Sequence, residues 1–246
     1  MNSSHDETLR AEIAAAAARL IAEDGADYGS AKRRAAKQLL GDGRVPGDIL
    51  PDNAEVEDAL REYNALFFGD TQPGRLLALR TLAGQLMQEL ADYSPHLTGA
   101  VLNGTAGNHS DIHLQLFCDS PKDVEVFLMN RNIDFEVSEQ PHFRLRGETV
   151  ETVSFMYNGE GVHLALYLFD DLRHGGSQRT GQRQRADLAA LEALMAQDNP
   201  HAVPGQGDTG VRSNDGIDAG QAGAAVAPAP EAGKQETAAG KGHTHG

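Results

Sequence analysis

The sequence predicts an α+β fold, in which N-terminal helices precede a mixed β-sheet flanked by helices. Three stretches of different pattern predict it. The first third is rich in Ala and Leu, with apolar residues at helical spacing. Short segments that alternate apolar with polar residues follow, as strands do. The last stretch is dominated by Gly, Ala, Pro, Gln and Asp, and it buries too little apolar surface to offset the entropy of ordering it.

Four helices are predicted before the first strand. The segment ETLRAEIAAAAARLIAEDG stops at Gly25, and SAKRRAAKQLLG follows with Ser30 as its N-cap and Gly41 as its stop. The third helix, AEVEDALREYNALFFG, has an acidic first turn, which the helix dipole favours. The fourth, PGRLLALRTLAGQLMQELADYS, begins near Pro73 and carries an apolar stripe along one side.

Strand and helix patterns mix in the second half of the chain. HLTGAVLNG and SDIHLQLFC are predicted strands, and DSPKDVEVFLMNRN is a predicted helix with a capping-box-like start at Ser120 and Asp123. Four β-prone segments come next: DFEVSE, HFRLRG, ETVSFMYNG and GVHLALYLF. Asn158-Gly159, between the last two, predicts a hairpin turn. QRADLAALEALMAQ is a predicted closing helix.

These patterns divide the chain into three parts. We expect an N-terminal helical region at residues 1–72, an α+β domain at residues 73–198 and a disordered tail at residues 199–246.

Composition and charge argue against several classes of protein. A formal net charge of −15 disfavours non-specific binding to nucleic-acid phosphates or anionic lipid. A single cysteine, Cys118, excludes an intramolecular disulfide. The first ten residues lack the basic and apolar regions of a signal peptide, and no run approaches the ~18 apolar residues of a membrane span. We therefore expect a cytoplasmic protein with no membrane contact and no nucleic-acid partner.

The stretch VLNGTAGNHSDIHLQLF predicts a small-residue turn followed by a strand with one polar face. Its polar positions alternate with an apolar set: Asp111, His113 and Gln115 against Ile112, Leu114, Leu116 and Cys118. Because the apolar side marks the core, the polar side meets solvent or a cleft. Gly104 and Gly107 let the backbone approach a ligand closely, and amides in such a turn can cradle a phosphate.

This stretch resembles the motif of the nucleotidyltransferase superfamily, the fold of polymerase-β-like enzymes and of minimal bacterial nucleotidyltransferases. The family pattern is an apolar strand, a Gly-Ser turn that touches nucleotide phosphates, and a second strand with Asp-x-Asp, often preceded by Ser. By resemblance, Gly104 and Thr105 match the Gly-Ser pair, and Ser110 and Asp111 match Ser-Asp. His113 occupies the place of the second carboxylate. The resemblance covers about fifteen residues of motif and implies a nucleotide or another phosphorylated small molecule as the ligand.

The resemblance also implies catalytic and metal-binding roles. In the family, two carboxylates and a third from a later strand hold two Mg²⁺ ions for phosphoryl transfer. The corresponding residues here are Asp111, His113 and His163, the last within GVHLALY. The expected cofactor is a divalent metal, Mg or Mn, although neutral imidazole favours softer ions than Mg²⁺. Nearby carboxylates could contribute: Glu148, Glu151 and Glu160.

Three interpretations of the histidine pair stay open at this point. His113 and His163 are polar strand residues without a ligand, or they line a cleft that binds a ligand without metal chemistry, or they form a metal site with Asp111. Isolated histidines are common on strands, which favours the first interpretation, and only the alternation, without a tight ligand spacing, supports the metal site.

A basic segment follows the last predicted strand. DDLRHGGSQRTGQRQRADL contains Arg173, Arg179, Arg183 and Arg185 in an otherwise acidic chain. Arg183 and Arg185 stand at the start of the predicted closing helix and oppose its dipole, so a bound anion would offset their cost. Arg173 and Arg179, in the same basic segment, are the candidate ligand-binding residues, against the alternative of a solvated loop. AKRRAAKQ is a second basic patch, for which an exposed helix face is the favoured interpretation.

Several known motifs are missing from the sequence. It has no G-x-x-x-x-G-K-[ST] phosphate loop, no G-x-S-x-G elbow, no H-E-x-x-H and no paired cysteines. The missing phosphate loop argues against an ATP-dependent ligase of the UDP-N-acetylmuramate–alanine type. The sequence thus predicts a divergent nucleotidyltransferase-like protein that binds a nucleotide or phosphorylated ligand. The alternative is a non-catalytic interaction or regulatory module.

Overall fold

The computed structural model describes residues 2–41, 47, 49–173 and 185–198. They form the predicted α+β fold, in which N-terminal helices precede a five-stranded mixed sheet with flanking helices. The predicted disordered tail, residues 199–246, lies outside the described residues. No described helix is both long enough and apolar enough to cross a membrane.

Three helices form the N-terminal part of the fold: α1 (Asn2–Asp24), α2 (Tyr28–Leu40) and α3 (Asn53–Phe67). They share a core of small and branched side chains that includes Ile13, Ala17 and Val56. Gly25 ends α1 at a φ of 66°, as predicted. The predicted N-cap of α2 was wrong by three residues. Asp27 is the cap, because its carboxylate accepts a hydrogen bond from the backbone N–H of Ser30. Ser30 therefore lies within the first turn of α2.

The sheet has the strand order β1-β2-β5-β4-β3. Its members are β1 (His96–Thr98), β2 (Ile112–Cys118), β3 (Phe135–Pro141), β4 (Thr149–Tyr157) and β5 (Glu160–Leu168). β2 and β5 pair in parallel, and every other neighbouring pair is antiparallel. The Asn158-Gly159 hairpin turn is confirmed, with both residues at positive φ. The predicted strand HFRLRG was wrong: β3 ends at Pro141, and a turn follows.

One face of the sheet packs on helices and forms the main core. The helices are α4 (Gln72–Glu89), α6 (Pro121–Asn130) and α8 (Leu188–Asp198), and a 3-10 turn at Ala91–Tyr93 follows α4. Alternate residues of β2 and β5, among them Ile112, Leu114, Val162 and Leu164, are fully buried against them. Ser120 precedes α6 as predicted, but its side chain makes no capping hydrogen bond, so the predicted capping box was wrong.

The prediction that HLTGAVLNG is one strand was wrong. β1 ends at Thr98, and the next residues form the short helix α5 (Gly99–Asn103). Gly99 and Gly104 bracket this helix with φ values of 70° and 86°, which only glycine adopts without strain. The buried side chain of Arg80 holds its carbonyl end, since Nε donates to Val101 O at 2.9 Å and Nη2 to Leu102 O at 3.0 Å.

The opposite face of the sheet divides into two regions. At the carboxyl ends of β2 and β5, an aromatic cluster with Phe117 and Tyr167 is closed by α7 (Phe169–Leu172). Buried Asp171 of α7 accepts a hydrogen bond from Arg144 Nη2 at 2.7 Å and one from His142 Nε2 at 3.2 Å. At the other end, this face of the sheet is polar and open.

We predict that Asp171 makes the stability of the fold depend on pH in the acid range. Burial raises the pKa of this carboxyl, but hydrogen bonds from Arg144 and His142 outweigh it, so the pKa lies below its ordinary value. A lowered carboxyl pKa stabilises the fold above about pH 4 and loses that contribution as the pH falls through the folded-state pKa. Asp171→Asn should cost about 1–3 kcal/mol at pH 7.

Urea unfolding at several pH values tests this prediction. Between pH 4 and pH 2, the variant should lose less stability than the wild type, because it has no proton to take up at this position. Asp119→Asn, at an exposed carboxylate, is the matched control and should follow the wild type. Parallel curves for Asp171→Asn and the wild type would contradict the role given to Asp171.

Candidate functional site

A row of polar side chains crosses the open face of the sheet near the start of β2 and β5. The strand register places five residues side by side, one on each strand: Thr98, His113, His163, Ser154 and Glu136. Paired residues on neighbouring strands point to the same face. The parallel pairing of β2 with β5 therefore brings His113 and His163 together, although fifty residues separate them.

A hydrogen-bonded chain joins three side chains of this region. His163 Nε2 lies 3.1 Å from Asp111 Oδ2, and His163 Nδ1 lies 2.8 Å from Ser154 Oγ. Because a carboxylate only accepts, Nε2–H donates to Asp111, and Nδ1 of the neutral ring accepts from the Ser154 hydroxyl. Both nitrogens of His163 are thus occupied, and its ring orientation is fixed.

His113 is arranged differently from His163. Its ring stacks on the His163 ring with centroids 4.7 Å apart and an interplanar angle of 19°. Solvent reaches its side chain, and its nitrogens make no hydrogen bond to any described residue. Desolvation by the protein atoms around the ring, and the nearby His163 imidazole, lower the pKa of His113 below its ordinary value. At neutral pH it offers one donor and one acceptor to a ligand.

The carboxylate of Asp111 sits directly over the backbone of Gly161. A Cβ at position 161 would come 2.4 Å from Asp111 Oδ1 and 2.7 Å from its Cγ. The absence of a side chain at Gly161 therefore leaves the space in which Asp111 reaches His163.

Two hollows meet at these residues. The helix-side hollow, of about 540 Å³, lies between the sheet and the junction of α1 with α2, and residues 25–28 of that junction line it. The strand-side hollow, of about 830 Å³, extends over β4 and β5 towards Arg75. Four residues line both hollows: His109, Ser110, Asp111 and His163.

The strand-side hollow is acidic. Four carboxylates line it: Asp111, Asp134, Glu136 and Glu160. Arg75 is the one Arg or Lys among its described lining residues, and its guanidinium pairs with Glu160, Nη2 to Oε2 at 2.6 Å. This pair lowers the pKa of Glu160 and raises that of Arg75. An anion entering this hollow would meet a net negative lining.

The predicted phosphate-turn residues Gly104 and Thr105 line neither hollow, whereas Ser110, the other predicted ligand-binding residue of this stretch, lines both. Thr105 is buried, and its carbonyl accepts from Asn64 Nδ2 at 3.1 Å. The amides of Gly104 and Thr105 both donate to Ala100 O. These amides terminate α5, and the turn that faces the helix-side hollow is instead Thr98–Gly99–Ala100, directly after β1.

The predicted basic residues lie elsewhere or outside the described part. Arg173 follows α7, which begins where β5 ends, so it lies at the opposite end of the sheet from His163. Arg185 covers the Phe117 ring, 5.0 Å from its centroid, and donates to Leu172 O. Arg179 and Arg183 lie outside the described residues.

The predicted metal site has all three of its residues in one place. Among the described residues, however, no group of three or more His, Cys, Asp or Glu side chains could hold a metal ion. The reason is visible in the geometry, since one carboxylate oxygen of Asp111 is bonded to His163 and the two imidazoles stack face to face. The residues therefore do not fit a protein-held divalent metal, and the expected Mg or Mn cofactor stays a prediction.

Other residues of the site were not predicted. Ser154 could have been found, because a two-residue turn at Asn158-Gly159 fixes the hairpin register and sets Ser154 opposite His163. The α1–α2 junction gives no such signal: Gly25 lies so close to residue 109 that a Cβ there would come 2.8 Å from His109 Cβ.

Comparisons with known proteins leave the family open. No protein-family model matches the chain, and no curated protein sequence is significantly similar to it.

Proposed function

We propose that this protein binds a nucleotide, together with the divalent cation that the phosphates carry, and that it does so without transferring a group. The observation that carries the proposal is the convergence of Asp111, His113 and His163 at one end of the sheet. These are the residues for which the resemblance to nucleotidyltransferases implies the site.

The size of the site supports a ligand of this kind. Each hollow has a volume within the range of about 300–1,000 Å³ typical of small-molecule sites. Because the hollows share Ser110, Asp111 and His163, a ligand with two chemically different ends can occupy both.

The charges around the strand-side hollow support the proposal that the nucleotide binds together with a divalent cation. Bare phosphates would be repelled by its carboxylates, since Arg75 is already neutralised by Glu160. A divalent ion held by the phosphates reverses this interaction, and Asp111 faces the hollow with a carboxylate oxygen. The cation arrives as part of the ligand, so no resident metal site is needed.

The residues at the centre of the site support nucleotide binding without phosphoryl transfer. His113 and His163 stand where the resemblance implies the second and third carboxylates. An imidazole offers nitrogen atoms in place of the anionic oxygens that hold Mg²⁺ for in-line phosphoryl transfer, and both nitrogens of His163 are already hydrogen-bonded.

Calorimetric titration with ATP, GTP, CTP and UTP in the presence of Mg²⁺ tests the proposal. We expect saturable binding of at least one nucleotide, which EDTA weakens by about tenfold or more because uncomplexed phosphates meet the acidic lining. Asp111→Asn should weaken it by a similar factor, since it removes the carboxylate beside the phosphates. No pyrophosphate should be released.

Asp70→Asn is the charge-matched control, because Asp70 is exposed and lines neither hollow. It should bind nucleotides as the wild type does. Absence of binding by the wild type would overturn the proposal, and release of pyrophosphate would replace binding with transfer.

A further inference from the structure

One of the residues that line the helix-side hollow has a buried hydroxyl without a partner. Thr152 on β4 is only 5% exposed, and its Oγ1 makes no hydrogen bond to any described residue. Buried polar groups in folded proteins are almost always paired, so an unpaired hydroxyl on a residue that lines a hollow is a candidate partner for a ligand atom.

A second hydrogen-bonding group belongs to the same hollow. Gln115 on β2 lines the hollow, and its side-chain amide makes no hydrogen bond within the described chain. The register places Gln115, Ala165 and Thr152 side by side on β2, β5 and β4. Neighbouring strands are about 4.8 Å apart, so Gln115 and Thr152 are separated by roughly 10 Å. The small Ala165 between them leaves a shallow depression.

The walls of this hollow do not favour an anionic ligand group. No lysine or arginine of the described chain lines it. Its two carboxylates are engaged, that of Asp27 with the N–H of Ser30 and that of Asp111 with His163. Ile21, Ala26 and Tyr28, at the α1–α2 junction, also line this hollow.

The geometry points to a flat, neutral group with a hydrogen-bonding edge, and we infer that the helix-side hollow binds the base of the nucleotide. Thr152 and Gln115 contact the edge of the base, and the phosphates extend past Asp111 into the strand-side hollow. This inference rests on the proposed function, and it assigns the residues that discriminate one base from another.

Thr152→Val separates this role from a structural one. Valine has nearly the same shape as threonine and removes only the unpaired hydroxyl. We expect the thermal midpoint of the unliganded protein to stay the same or rise, because a buried unpaired group is lost. The affinity for the preferred nucleoside triphosphate with Mg²⁺ should fall by about fivefold to tenfold. The affinity for inorganic tripolyphosphate with Mg²⁺ should not change.

The control is Thr149→Val, on the same strand but outside both hollows, which should leave both affinities unchanged. Gln115→Ala should change the ranking of the four nucleotides. Equal losses for the nucleotide and for tripolyphosphate, or no loss for either, would overturn the base-binding role. Nucleotide binding that still depends on Asp111 would then leave the proposed function standing, whereas absence of all nucleotide binding would remove both.

Discussion

Gly161→Ala is expected to weaken nucleotide binding while leaving the fold intact. A methyl group at this position would lie 2.4 Å from Asp111 Oδ1, so the carboxylate has to move away from His163. The backbone of Gly161 is not in the left-handed region, and alanine is therefore tolerated there. We expect affinity to fall by about tenfold, with a change of less than about 1 kcal/mol in the free energy of unfolding.

Calorimetric titration and urea unfolding of the same preparation measure the two effects. Gly74→Ala is the control, because a Cβ at Gly74 meets no atom within 4 Å. Unchanged affinity in Gly161→Ala would show that the position of Asp111 does not matter for binding. Unfolding of the variant would show instead that the strand pairing, and not Asp111, depends on this glycine.

Arg80→Met is expected to destabilise the fold by about 3 kcal/mol. Arg80 is 4% exposed and donates to the carbonyls of Val101 and Leu102, and it also pairs with Asp198 at the end of α8. Methionine fills the same volume but leaves buried carbonyls without donors. Because α5 carries Gly99 and Ala100 at its start, nucleotide affinity should fall as well.

The midpoint of urea unfolding measures this loss. Arg131→Met provides the comparison, since Arg131 forms a surface pair with Glu89 and should cost less than about 1 kcal/mol. Similar losses for the two variants would mean that the buried position of Arg80 adds nothing to the stability of the fold.

The site also links the two predicted folded regions. Residues 25–28, at the α1–α2 junction, line the helix-side hollow together with β2, β4 and β5. The N-terminal helices therefore form a wall of the candidate site. A fragment that starts at residue 73 would lack this wall, and experiments on binding require the full chain.

Much of the site could be predicted from the sequence because local patterns encode it. The alternation in SDIHLQLF separates Asp111 and His113 from the apolar core face, and the Asn158-Gly159 turn sets the register that pairs Ser154 with His163. Both features depend on residues that are close together in the chain. The two-residue period of a strand then allows only one assignment of these residues to the two faces of the sheet.

Tertiary structure decided the remaining features. The adjacency of β2 and β5, which stacks His113 on His163, depends on how the helices cover the other face of the sheet. The apolar run LTGAV continues as α5 because Arg80, from α4, holds its last carbonyls. The place of the α1–α2 junction over the sheet follows from packing between segments more than eighty residues apart. No local period of the sequence encodes such contacts, because each depends on surfaces that exist only after both segments have folded.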